Sequence, residues 1–69
     1  MIGIGDRVAV HPETFDPRDE KAGKRKTATG RVVYVHPAGR FCVLEFEAGP
    51  RGQATIRESF QLLEGAIFQ

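Results

Sequence analysis

The alternation of apolar and polar positions is clearest over residues 31–47, RVVYVHPAGRFCVLEFE. Two runs rich in β-branched and aromatic residues flank the turn Pro37-Ala38-Gly39-Arg40, a pattern that predicts a β-hairpin. On its second arm, Phe41 to Glu47, the residues Cys42, Leu44 and Phe46 share one face, and Phe41, Val43, Glu45 and Glu47 share the other. The first set is assigned to the core because the second carries both charges. The first arm belongs to a strand from Thr27 to His36. Gly30 near its start predicts a bend or bulge. The continuous apolar run Val32 to Val35 predicts either burial on both faces or an outward face covered by something else.

The remainder of the chain reads as further short strands. Gly3 to Val10 is a first strand, entered through a turn at Gly5-Asp6, with Asp6, Val8 and Val10 on one side and Arg7 and Ala9 on the other. Pro12 ends it. Residues 11–26 show no sustained period and contain Pro12, Pro17, Gly23 and many charges, so they read as a long surface loop, with Phe15 tucked back against the barrel. Ala48 to Gly52 is a loop, and Gln53 to Arg57 a fourth strand carrying Ala54 and Ile56 toward packed surface. Glu58-Ser59-Phe60 reads as a short helical turn, Gln61 to Glu64 as a fifth strand, and Ala66 to Gln69 as an apolar tail. The echo between Val8-Ala9-Val10-His11-Pro12 and Val33-Tyr34-Val35-His36-Pro37 is two strand ends stopped by proline.

A chain of 69 residues is a single domain and buries only about 60% of its unfolded surface. Its core is therefore small. One cysteine, Cys42, excludes an internal disulfide, fits a reducing compartment and leaves packing, or self-association, to stabilise the fold. No apolar run approaches the roughly 20 residues of a membrane span, and MIGIGDRV lacks the layout of a signal peptide. The expectation is a cytoplasmic protein without a membrane partner.

The order strand, long loop, strand, tight hairpin, strand, loop, strand, short turn, strand resembles an SH3-like small β-barrel, the architecture of KOW, Tudor and SH3 modules. The resemblance rests on Gly5-Asp6-Arg7-Val8, Gly30-Arg31-Val32-Val33, the strand Phe41 to Glu47, and Ile56-Arg57-Glu58-Ser59-Phe60-Gln61-Leu62-Leu63. It implies an all-β, five-stranded barrel over residues 1–69 with one long loop and a short helical turn before the last strand. The ending Arg57-Glu58-Ser59-Phe60 also resembles small accessory proteins of bacterial phages and mobile elements. The chain departs from peptide-binding SH3 domains, whose grooves hold polyproline between clustered aromatics: it has no Trp and one Tyr. Tyr34, Phe15 and Phe41 make no convincing aromatic cage of the Tudor type.

The net charge of +1 conceals an asymmetry. Residues 1–20 carry a net −3, residues 21–40 a net +6 with no acid, and residues 41–69 a net −2. The middle block makes Lys21, Lys24, Arg25, Lys26 and Arg31 the candidate phosphate contacts, since each phosphate neutralised releases counterions. Tyr34, if it faces outward, can stack a base near that charge. The bland alternative is a solvated loop. His11, His36 and Cys42 match no zinc spacing. Cys42 reads as an inert core thiol, and Ser59 as a cap rather than a nucleophile. Glu45 and Glu47 share a wet strand face without further catalytic context. No glycine motif cradles a phosphate: Gly3-Ile4-Gly5 leads into a strand, not a helix. No enzymatic activity and no cofactor are expected. The leading expectation is a small binding module that contacts nucleic acid. The rival is a protein-interaction or inhibitory accessory module that uses an apolar patch of Val32, Phe41, Val43 and the tail Ala66-Ile67-Phe68, together with Glu45, Glu47 and Glu58.

Overall fold

The computed structural model describes residues 2–14, 27–48 and 51–69. The expectations placed on Phe15, Lys21, Lys24, Arg25 and Lys26 lie outside these residues. Among the described residues five strands form one sheet: β1 (Arg7–Val10), β2 (Ala28–Val35), β3 (Phe41–Ala48), β4 (Ala54–Leu63) and β5 (Ala66–Ile67). They pair in chain order, every neighbour antiparallel. The result is an all-β meander that curls into a half-barrel.

The centre of the sheet is β3, whose alternate residues Cys42, Leu44 and Phe46 are almost entirely buried. Val10, Val32 and Phe60 complete the core. Residues directly opposite on antiparallel strands share a face, and the pairs Val32↔Leu44 and Cys42↔Phe60 bring these side chains together. The Phe46 and Phe60 rings meet edge to face, with centroids 6.3 Å apart. Ile2, Val8, Ala28, Val35, Leu62 and Ile67 pack around this nucleus.

The hairpin between β2 and β3 forms where the sequence places it. The His36 N–H donates to the Phe41 carbonyl, the Gly39 N–H donates to the His36 carbonyl, and Gly39 takes the positive φ of 71° that suits a residue without Cβ. The expected irregularity in β2 is displaced from Gly30. The register shifts between Val32 and Tyr34, so Val33 is the extra residue of a bulge. Gly30 instead permits a close approach. It is buried beneath Phe46, and a Cβ there would lie 2.8 Å from Phe46 Cε1 and 3.0 Å from Leu44 Cβ.

Two expectations near the chain's end are corrected. Glu58-Ser59-Phe60 is not a helical turn but the middle of β4. Ile56, Glu58, Phe60 and Leu62 keep strand alternation through it, and Glu58 sits opposite Leu44 on the inner face. A charged residue inside an otherwise apolar series disguises the period. The fifth strand is Ala66–Ile67, not Gln61 to Glu64, because Gln61, Leu62 and Leu63 belong to β4. The two strands join through Glu64 and Gly65, both at positive φ (52° and 82°), as a type I′ hairpin turn requires. Glu is a poor left-handed residue, so little in the local sequence signals a turn at this point.

The free edges of the sheet draw together. The Ile2 N–H donates to the Gly65 carbonyl. Near the other end of β1, the His11 N–H donates to Gln69 Oε1 at 2.9 Å and Gln69 Nε2 donates to the His11 carbonyl at 2.6 Å. A core-directed Glu58 is tolerated because three donors meet its carboxylate. It accepts from the Glu13 N–H (2.9 Å), the Thr14 N–H (2.9 Å) and the Thr14 hydroxyl (2.6 Å). These bonds tie the start of the long β1–β2 connection to β4.

Candidate nucleic-acid interface

The outer face of the sheet is built by strand register. Arg7 on β1 pairs with Arg31 on β2, Arg31 with Glu45 on β3, and Glu45 with Arg57 on β4. Three arginines and one glutamate therefore form a row across four strands. With strands about 4.8 Å apart, the row spans roughly 14 Å. Glu45 orients two of the three cations: Arg31 Nη2 lies 3.3 Å from Oε1 and Arg57 Nε lies 3.0 Å from Oε2. Both arginine side chains remain more than half exposed, at 56% and 66%. Exposed pairs of this kind add little to stability. Their consequence is orientation. Arg57 engages Glu45 through Nε, which leaves its two Nη groups available to a ligand.

The hydrogen bond from Arg57 is the main influence holding the Glu45 carboxyl below its ordinary range, with Arg31 adding to it against partial desolvation. Glu45 is ionised at neutral pH, and the row keeps a net charge of about +2, because arginine stays protonated.

The bulge at Val33 decides where Tyr34 points. In an uninterrupted strand with Arg31 outward, Val33 would follow it outward and Tyr34 would face the core. With Val33 as an extra residue, Tyr34 pairs with Val43 and joins Arg31 on the outer face, while Val35 pairs with Cys42 on the inner one. Tyr34 is 43% exposed. Its ring lies 5.9 Å from that of Phe41, and Phe41 in turn lies 4.9 Å from His36. The His36 ring is fixed by the Ala38 N–H, which donates to Nδ1. Val43 and Glu45 are successive outer-face positions of β3, so Tyr34 stands one position, about 7 Å, along the sheet from the arginine row.

Of the expected site residues, Arg31 and Tyr34 are brought onto one face. Lys21, Lys24, Arg25 and Lys26 lie outside the described residues. Arg7 and Arg57 are additions. Both are outward residues of predicted strands, but only the register aligns them with Arg31.

The rival surface changes more. Val32 is 1% exposed and belongs to the core. Ile67 packs against the core as part of β5. Glu58 is buried and occupied by Glu13 and Thr14. Among the described residues, Ile4, Leu63 and Phe68 are the large exposed hydrophobic side chains besides Tyr34. Among the same residues no group of three or more His, Cys, Asp or Glu is placed to hold a metal ion, and no helix is long and apolar enough to cross a membrane. The buried Cys42 thiol is pushed up by desolvation. Compared with protein-family models, curated proteins and solved structures, the chain matches none of them.

Proposed function

We propose that this protein is a small non-catalytic binding module that contacts nucleic acid through the outer face of its sheet. The observation that carries this reading is the row Arg7, Arg31, Glu45 and Arg57 beside the outward ring of Tyr34. Guanidinium groups held in place by a carboxylate lose less freedom when they meet a phosphate than free side chains do. Lys21, Lys24, Arg25 and Lys26 supply further cations from the stretch of sequence that precedes Arg31. The fold is read as a variant of the SH3-like small barrel in which an uninterrupted β4 replaces the short helical turn. A cytoplasmic setting suits the lone thiol and the proposed ligand.

The protein-interaction reading keeps Phe41, Val43 and Phe68 but loses Val32 and Glu58, and its Glu45 is engaged by two arginines. It is the weaker of the two.

The test is binding to labelled oligonucleotides by fluorescence anisotropy across a salt series. The wild type binds at about 50 mM salt and weakens as salt rises, with log K falling by roughly 0.7–0.9 per phosphate contact for each tenfold rise in salt. The double variant Arg31→Ala/Arg57→Ala flattens that slope by one to two contacts' worth. The triple variant Lys24→Ala/Arg25→Ala/Lys26→Ala flattens it further. If neither set of substitutions changes the affinity or the slope, the proposal is wrong.

A further inference from the structure

We infer that the nucleic acid taken by this face is single-stranded, with an unpaired base stacked on Tyr34. The inference rests on the nucleic-acid reading above and specifies its ligand. Three arginines against one glutamate neutralise only two or three phosphates, so charge at the row gives modest affinity. The face supplies a second source of binding energy in an aromatic ring, and a ring face is useful only to a base that is not already stacked within a duplex.

Three features of the structure prepare Tyr34 for this. The Val33 bulge turns it from the core side to the outer side. Phe41 braces it from one flank, and His36 braces Phe41, so the ring is supported on one side while 43% of the residue remains open. Its position one step along β2 from Arg31, about 7 Å, lets one nucleotide place its base on the ring and its phosphate at Arg31. Recognition of this kind tolerates any base, since every base presents a π-face. The expected ligand is therefore a single strand of DNA or RNA with little sequence preference. A duplex, whose bases are already stacked, reaches only the arginines.

The protein carries its own reporter. Tyr34 is its only tyrosine and it has no tryptophan, so tyrosine emission comes from the proposed stacking residue alone. A short oligo(dT), an oligo(U) and a duplex of equal length are titrated into the wild-type protein at about 50 mM salt. Tyrosine emission and, with labelled strands, anisotropy are followed. The expected result is quenching by both single strands, little quenching by the duplex, and tighter binding of the single strands. Tyr34→Ser weakens single-strand binding about ten-fold and leaves duplex binding unchanged, while Tyr34→Phe keeps single-strand binding within about two-fold, because the ring supplies the stacking. Circular dichroism confirms that both variants fold. If single strands and duplex bind equally, without quenching, and Tyr34→Ser changes nothing, the single-strand inference is overturned while the phosphate-binding reading stands. If neither form binds at about 50 mM salt, both fall, and the face is better sought as a protein contact.

Discussion

Gly30 and Glu58 show how far single side chains govern this fold. Gly30 lies under the Phe46 ring, and a methyl group there would meet Phe46 Cε1 at 2.8 Å and the Leu44 side chain at 3.0 Å. Neither neighbour can retreat, because both are at the centre of the core. Gly30→Ala is therefore expected to destabilise the protein by about 1–3 kcal/mol, the usual cost of overpacking, measured by urea denaturation. Glu58 is the mirror case, a charge that the core accepts because three donors meet it. Burial pushes its carboxyl up, but the hydrogen bonds from Thr14 and Glu13 outweigh burial and hold it below its ordinary value. A depressed folded value means that the carboxylate's contribution is complete above the ordinary carboxylate range. It is lost as pH falls through the lowered value. Glu58→Gln keeps the shape but turns an amide NH2 toward donors. It should cost about 1–3 kcal/mol at neutral pH, and the gap to wild type should narrow as the solution is acidified. A gap that stays constant with pH would show that the carboxylate charge is not what holds residues 13 and 14.

Among the elements, β2 and β4 set the surface. The single extra residue at Val33 reverses the facing of everything after it in β2. Tyr34 gains the outer face and Val35 gains the core. In β4, unbroken pairing from Ala54 to Gln61 against β3 fixes Arg57 opposite Glu45. A one-residue slip there would send Arg57 inward and Glu58 outward, since strand side chains alternate. Both strands thus contribute to the core and to the proposed interface through the same register, so mutations that disturb register should weaken stability and binding together. Substitutions at Arg31 or Arg57 should weaken binding with little effect on the urea midpoint, as expected for exposed ion pairs.

For the molecule as a whole, a five-stranded meander leaves β1 and β5 as edges, and edges invite unwanted pairing. Here they are drawn together by the Ile2–Gly65 bond and by the reciprocal bonds of His11 and Gln69. Gln69→Ala removes both of the latter. An exposed pair of this kind is worth about 1 kcal/mol, so the melting temperature should fall by about 4–8 °C. An unchanged melting temperature would mean that the half-barrel holds its curl through the core alone.

The all-β class, the β2–β3 hairpin and the inner set Cys42, Leu44 and Phe46 are legible in the chain alone, because local alternation and turn chemistry are written in consecutive residues. Arg31 and Tyr34 are marked as candidates at the same level. Other features arise only when distant segments meet. Glu58 reads as an acid of a short turn, open to a partner, because nothing within a few residues of it reveals donors more than forty positions earlier in the chain. Residues 58–60 read as a turn for the same reason, since a charge in the apolar series hides the strand period. The last strand escapes a local reading because its hairpin turn places Glu64 in a conformation that glutamate seldom adopts. The arginine row has no local signature at all. Arg7, Arg31 and Arg57 are far apart in the chain, and only the pairing register, fixed by the burial of β3's inner face, sets them side by side.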